Sequence, residues 1–227
     1  MTAGRFAVTG YFALATGYIS LHAIQRGRTA IEYPTWHAWA LTTHLVLQAL
    51  AVGLFAFFTI GRTEPIRRAR ELRAFASCFV ALLAFSLLRQ PSATASTARV
   101  LAGDLVVVVF GVWLVVAVTR LGRSFGVLPE ARELRTSGPY SVVRHPVYLG
   151  ELGVCAGLVI AAPSPWNLIV GAVFAVAQAI RMRFEEQALT TAFPAYAAYA
   201  ATTPRLIPVA RFMSSTVRKP FTTSSSA

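Results

Sequence analysis

Apolar runs of helix length alternate with short polar loops along most of this chain. The continuous runs are Phe6–Ile24, Ala38–Ile60, Leu72–Leu88 and Leu101–Thr119, followed by a longer one, Val147–Ile180. A bilayer core takes about 20 helical residues to cross, so each of the first four runs predicts one span. The fifth is interrupted by Ala162-Pro163-Ser164-Pro165. Each proline removes a backbone donor and biases the residue before it away from the α region, so this tetrapeptide predicts a turn. The run then reads as a helical hairpin, Val147–Ala161 going out and Trp166–Ile180 returning. The pattern predicts an all-α fold, a multi-pass transmembrane helical bundle of about six spans whose last two form the hairpin. A five-span form with a partly re-entrant hairpin stays open, because the first arm is short. Arg5, the run Phe6–Phe12 and Ala13-Leu14-Ala15 imitate a signal peptide. The apolar character continues to Ile24, which favours a retained first span.

Three regions follow. Residues 1–119 hold four predicted membrane helices. Residues 120–210, with the hairpin 147–180, hold the polar segments that could carry chemistry. Residues 211–227 are Ser/Thr-rich without apolar periodicity, which predicts a disordered tail. No internal repeat of the transporter kind is present.

Composition strengthens the membrane reading. Of 227 residues 56% are hydrophobic and 13% charged, and mean hydropathy is +0.58; soluble domains carry about 25% charged residues. The net charge of +12 would suggest nucleic acid in a soluble protein. Here the basic residues sit in loops between spans, where they orient the chain and meet anionic headgroups, so membrane lipids and no nucleic acid are the expected partners. With the N-terminus inside, seventeen of the 21 basic residues fall on the inner face, and only Arg26, Arg28, Arg89 and Arg99 outside. That split predicts a plasma or bacterial inner membrane protein with Arg120–Pro146 and Arg181–Pro208 both cytoplasmic. Cys78 and Cys155 lie inside apolar runs and read as small buried hydrophobes, and no metal-ligand spacing surrounds them.

Three clusters could carry chemistry. Leu134–Gly150 places Gly138-Pro139 at a turn and gathers Tyr140, Arg144, His145 and Tyr148 at a helix entrance, with Pro146 in its first turn. An interfacial belt would explain the residue types but not the ordered strings Gly-Pro-Tyr and Arg-His-Pro. Arg181-Met182-Arg183-Phe184-Glu185-Glu186 follows the hairpin, with Arg181 and Glu185 on one helix face. A solvated helix end is the bland account. Against it, the chain has nine acids and two adjoin where the hairpin returns toward Arg144-His145. Phe193–Tyr199, with Tyr196 and Tyr199 on one side of a helix, is either an interfacial helix or a lid.

Taken in order, these strings are specific. Leu121-Gly122-Arg123-Ser124-Phe125, Leu134…Gly138-Pro139-Tyr140, Arg144-His145-Pro146-Val147-Tyr148-Leu149-Gly150 and Glu185-Glu186…Tyr196…Tyr199…Arg205…Pro208 resemble the isoprenylcysteine carboxyl methyltransferase and phospholipid methyltransferase group over about residues 119–208. The resemblance implies an enzyme, a methyltransferase using S-adenosylmethionine (SAM), with a cytoplasm-facing C-terminal site and an apolar or lipid-like acceptor. By position it implies cofactor contacts at Arg132, Glu133, Leu134, Arg135, Tyr140, His145, Pro146, Val147, Tyr148 and Glu185, and an acceptor contact at Arg181. The chain departs from the group at Arg132, where a His is common, and at Arg135, where a Val is usual.

Residue chemistry suits these roles. Glu185 can meet the cofactor's ammonium or ribose, and Arg144 and His145 its carboxylate. A carboxylate acceptor is already a nucleophile at neutral pH and would only need orienting by Arg181. An amine, thiol or hydroxyl must lose a proton, and Glu186 is the nearest candidate base. Arg181, Glu186 and Arg144 are thus the candidate catalytic residues. The rivals are a sterol-type membrane reductase and a small transporter or lipid-binding protein. For the transporter the early spans offer only Asp104 near an outer end, and His44 and Gln48 one turn apart.

Overall fold

The computed structural model describes residues 3–60, 67–68, 72–89, 91, 95–124 and 130–207. In chain order the helices are α1 (Ala3–Glu32), α2 (Trp36–Ile60), α3 (Leu72–Ser86), α4 (Thr97–Leu121), α5 (Pro139–Val142), α6 (Pro146–Ala161), α7 (Pro165–Ala192) and α8 (Tyr196–Thr202). One antiparallel pair of two-residue strands, β1 (Arg67–Arg68) and β2 (Glu130–Ala131), is the exception to an otherwise helical fold among the described residues. The all-α class holds. The predicted tail at 211–227, Phe125 and Pro208 lie outside the described residues.

Among the described residues three helices, α2, α4 and α7, are long and apolar enough to cross a membrane. α3 and α6 are apolar but only 15 and 16 residues long. α1 has 30 residues, yet Gln25, Arg26, Arg28 and Glu32 polarise its second half. The returning arm of the hairpin runs past its predicted end at Ile180 to Ala192. Arg181, Glu185 and Glu186 therefore stand on one continuous helix with the membrane segment.

The predicted Pro-Ser-Pro turn forms, and side chains fix it. Ser164 caps α7 by accepting a bond from Asn167 N at 3.1 Å, with Pro165 in the first turn. Asn167 Nδ2 donates to Arg89 O (3.0 Å) and Ala162 O (2.7 Å), and its Oδ1 accepts from Arg89 N (3.0 Å). Trp166 Nε1 donates to Leu87 O, and the Arg89 guanidinium lies over the Trp166 ring. The turn is thereby tied to the end of α3.

α6 packs backbone to backbone on α4. A Cβ at Gly157 would stand 2.8 Å from Gly103 O and 2.9 Å from Val107 N. Small residues that let backbones touch are the usual glue between helices in lipid, where apolar burial alone gives little drive. Trp113 Nε1 donates to Pro146 O at 2.8 Å, fixing the opening of α6 to the same neighbour. α2 lies against α1 and α4, and α3 pairs with α7. The two hairpin arms touch each other only slightly. They belong to different layers, and space opens between them. One apolar cluster, Phe12, Phe55, Ala117, Val118 and Val147, closes the first layer; another, Ala81, Ala84, Cys155, Val170, Phe174 and Ala177, joins α3 and α7 to α6. The β1–β2 pair brings the connection before α3 and the connection after α4 together beside α7.

Candidate active site

The site begins with a turn that needs glycine. Gly138 has φ +64°, a left-handed conformation that costs other residues steric strain. It lets Pro139 open the short α5 and buries Tyr140. Val143 is extended, and the next two amides pair with the segment after α8: Arg144 N donates to Pro204 O (2.9 Å) and His145 N to Arg205 O (3.2 Å). Pro146 then starts α6. The chain is thus folded back on itself at the Arg-His-Pro string, and α8 is held over it.

The two charged clusters meet as the hairpin predicts. His145 Nε2 lies 2.9 Å from Glu186 Oε1, and Arg144 Nη2 lies 3.4 Å from the same oxygen. Arg205 Nη2 reaches Glu186 Oε2 at 2.9 Å. One residue earlier, Glu185 Oε2 accepts a 2.7 Å bond from Tyr148 OH. The Arg181 guanidinium lies 5.0 Å from the centroid of the Tyr148 ring and donates from Nη1 to Gln178 Oε1 at 2.7 Å. Gln178 Nε2 in turn donates to Glu151 Oε2, which stands 3.8 Å from Arg181 Nη1. On the loop side, Glu133 Oε2 accepts from Ser124 Oγ (2.9 Å) and pairs with Arg135 Nη2 (2.8 Å).

All ten residues expected around a cofactor line one cavity of about 100 Å³, and Arg144 and Arg181 line it too. Glu186 does not; it sits behind the wall, gripping Arg144 and His145. Tyr196 and Tyr199 line the cavity as well, and Tyr199 OH donates to Tyr140 O at 2.6 Å, so α8 caps the site. Burial pushes the Tyr140 phenol well above its ordinary range and Tyr199 up to about 12, the latter against an opposing pull from Arg144. Both phenols stay protonated donors at neutral pH.

A second, larger cavity of about 600 Å³ adjoins the first. α1, α2, α3, α4, α6 and α7 all contribute to its wall, which is mainly apolar and includes His44 and Gln48. Phe12, Phe55, Leu82, Glu151 and Arg181 line both spaces. Glu151 and Gln178 were missed by sequence reasoning. The signal was available: each is a polar residue in the middle of an otherwise apolar helix, which in a membrane marks a functional site.

The residues fit SAM. A zwitterionic amino-acid end and a sulfonium ask for both signs of charge, and the cavity presents Arg132, Arg135, Arg144 and Arg181 with Glu133, Glu151 and Glu185. Arg135 and Arg144 each keep a buried Nε–H with no acceptor among the described residues. A carboxylate is the partner such donors lack.

Residues 98–195 match the family model described as phospholipid methyltransferase. The cobalt-zinc-cadmium resistance protein CzcN of Cupriavidus metallidurans is 43% identical over 79 residues, 33% of this chain and 35% of that protein. The chain thus spans about a third of the length of the curated relative it matches. The family match takes in α5, α6 and all of α7, the elements that carry the Arg-His-Pro string and the acidic pair. Over that stretch the chain is similar to the phospholipid methyltransferase family, the membrane methyltransferase group its motifs resemble.

Proposed function

We propose that this protein is an integral membrane methyltransferase that moves a methyl group from SAM to an apolar or lipid-like acceptor. One observation carries the reading. The residues the family assigns to the cofactor line a single cavity, and that cavity shares Glu151 and Arg181 with a larger apolar chamber among the helices. A polar site opening on an apolar chamber suits a charged donor and a greasy acceptor meeting at one wall.

When bound, SAM supplies an electrophilic methyl on a sulfonium. The chain's own residues then act by position. Arg144 and Arg135 bind the carboxylate end. Glu185, oriented by Tyr148 OH, takes the ammonium or ribose side. Glu186 holds His145, Arg144 and Arg205 in register without touching the ligand. Tyr140, Tyr196 and Tyr199 exclude water from the polar end. Holding two reactants in line can supply about 7–11 kcal/mol of a barrier, so this arrangement gives most of what methyl transfer needs.

In the bilayer, the reading keeps six spans, with α1, α3 and α6 crossing in tilted or thinned lipid and the site on the cytoplasmic face. Cysteines placed at Ser124 and Ser164 should then label from opposite sides. CzcN is named for metal resistance; the described residues here contain no group of three or more His, Cys, Asp or Glu able to hold a metal.

The direct test is calorimetry with SAM on purified protein in detergent. Glu185→Ala and His145→Ala should each weaken binding while the fold persists. Unchanged affinity in both would return these residues to an interfacial role and remove the proposal.

A further inference from the structure

We infer that Glu151 is the proton acceptor of the reaction, and that the acceptor substrate is an apolar molecule ending in a neutral thiol or phenolic hydroxyl, not a carboxylate or an amine. The inference rests on the methyltransferase reading and specifies its substrate class.

The argument starts from charge. Arg181 is the cation on the shared wall of the two cavities, where an acceptor in the larger one would meet the cofactor in the smaller. Were it alone there, it would favour an anionic acceptor such as a fatty carboxylate. It is not alone: Glu151 Oε2 stands 3.8 Å away, and Gln178 bridges the two. The pair is neutral as a unit. A carboxylate entering here must compete with Glu151 for Arg181, and an ammonium with Arg181 for Glu151, so either charge gains a partner only by unpairing one in a poorly solvated site. A neutral X–H group meets neither penalty and finds an acceptor in Glu151 and a stabilising cation in Arg181.

Partner geometry favours the same role. Both contacts of Glu151 fall on Oε2, and no hydrogen bond or ion pair engages Oε1 among the described residues. The side chain keeps 21% of its surface exposed in the cavity wall. An oxygen left over in a wall that faces both chambers is placed to take a proton. Glu186, by contrast, has both oxygens engaged and lines neither cavity.

The step balances. The lone pair on X of the acceptor attacks the methyl carbon and the X–C bond forms. The C–S bond breaks with its electron pair left on sulfur, giving a neutral thioether. The X–H proton passes to Glu151, whose carboxylate becomes a neutral acid as the sulfonium charge disappears. The proton becomes strongly acidic as X gains its third bond, so a carboxylate of ordinary strength suffices.

The experiment reads binding as well as turnover. Full-length protein in nanodiscs is titrated with 4-pentylphenol, decanoate and decylamine, with SAM calorimetry on the same preparation. The wild type should bind 4-pentylphenol at least about tenfold more tightly than the two charged probes, a factor equal to about 1.4 kcal/mol. Glu151→Gln, which removes the negative charge, should raise decanoate affinity about tenfold and abolish methylation of the phenol. Wild-type protein binding decanoate or decylamine as tightly as the phenol would overturn the inference, and that arm needs no variant to fold. So would full phenol methylation by Glu151→Gln. Loss of the SAM signal in the wild type would instead sink the methyltransferase reading, leaving the probe selectivity as a separate measurement.

Discussion

Helix α7 takes part in two acid–arginine clusters, through Glu186 in one and Gln178 and Arg181 in the other, and they are built differently. At its polar end Glu186 is surrounded: His145 and Arg144 hold Oε1, and Arg205 holds Oε2. Further in, Glu151 of α6 meets α7 through one amide and one shared guanidinium, and half its carboxylate is uncommitted. The two side chains expose about equal surface, 20% and 21%, so exposed area does not distinguish them. Partners do. A carboxylate with every oxygen engaged by donors is a poor base and a good clamp, because taking a proton would mean giving up those bonds. A carboxylate with a spare oxygen can change state and keep its place. The first cluster ties α6, α7 and the segment after α8 together; the second stands where the two cavities join.

The largest effect should come from breaking the clamp. Glu186→Ala leaves two arginines facing each other across a histidine, with 17% and 35% of the arginine side chains exposed. Removing one partner of a buried charge cluster costs about 3–5 kcal/mol, and partial exposure here places the loss near the low end of that range. Thermal unfolding should show it, and SAM affinity should fall with it, because His145 and Arg144 lose their tether. Stability equal to the wild type would mean the clamp is a surface ion pair and the contrast with Glu151 is empty.

Next is a change that strikes both clusters at once. His145 precedes α6 and Glu151 lies on it, so the contact of α6 with α4 sets both positions. Gly157→Ala forces a Cβ against Gly103 O and Val107 N, which are backbone atoms and cannot swing away. Overpacking of this kind costs about 1–3 kcal/mol. The expected signature is a lowered melting temperature together with weaker SAM binding, from a residue that touches neither cavity.

The inner cluster should respond in rate instead of stability. Arg181→Ala removes a charge-assisted contact worth about 1.5–3 kcal/mol, so turnover should drop roughly tenfold to a hundredfold with SAM affinity within a few-fold. Arg181→Lys should restore part, since an ammonium cannot span Gln178 and Tyr148 as the planar guanidinium does. Full activity in Arg181→Lys would make this arginine an ordinary headgroup anchor.

How much of this the sequence exposed follows from the same contrast. The clamp was legible because its parts belong to short, ordered strings, Arg-His-Pro and Glu-Glu, and because a Pro-Ser-Pro turn had to bring those strings together. The inner trio was not, because Glu151 and Gln178 sit 27 positions apart inside apolar helices with no string around them. Periodicity also stopped short at the hairpin. It gave the two arms but not their neighbours: glycines at 153 and 157 let α6 pack on α4, and α7 lies against α3. A stripe of small residues reads only as apolar, and which helix it will touch is a tertiary fact. The apolar run stops at Ile180, but backbone hydrogen bonding continues through Arg181–Ala192, where charged side chains are good helix formers, so Arg181 and Glu185 share a helix face as their spacing predicts.

The smallest effect concerns the cap over the clamp. Tyr199 OH donates to Tyr140 O at 2.6 Å, one bond that ties α8 to α5. Tyr199→Phe should cost about 1 kcal/mol at neutral pH, the net worth of a single neutral hydrogen bond, and should loosen the cap without disturbing Glu186. The pH profile gives a sharper reading. Burial holds the folded phenol at about 12, above the unfolded tyrosine value near 10. Between those values the unfolded chain has lost its proton and the folded one keeps it, so stability must fall as pH rises through that window. Below pH 10 the contribution is fully present. Tyr140 is shifted in the same direction by its own burial, so the slope should shrink in Tyr199→Phe and not vanish. Thermal unfolding at pH 9, 10 and 11 in wild type and variant checks it. Parallel curves would mean that Tyr199 ionises freely while α8 stays folded down, and that the clamp beneath, not this bond, keeps the cap closed.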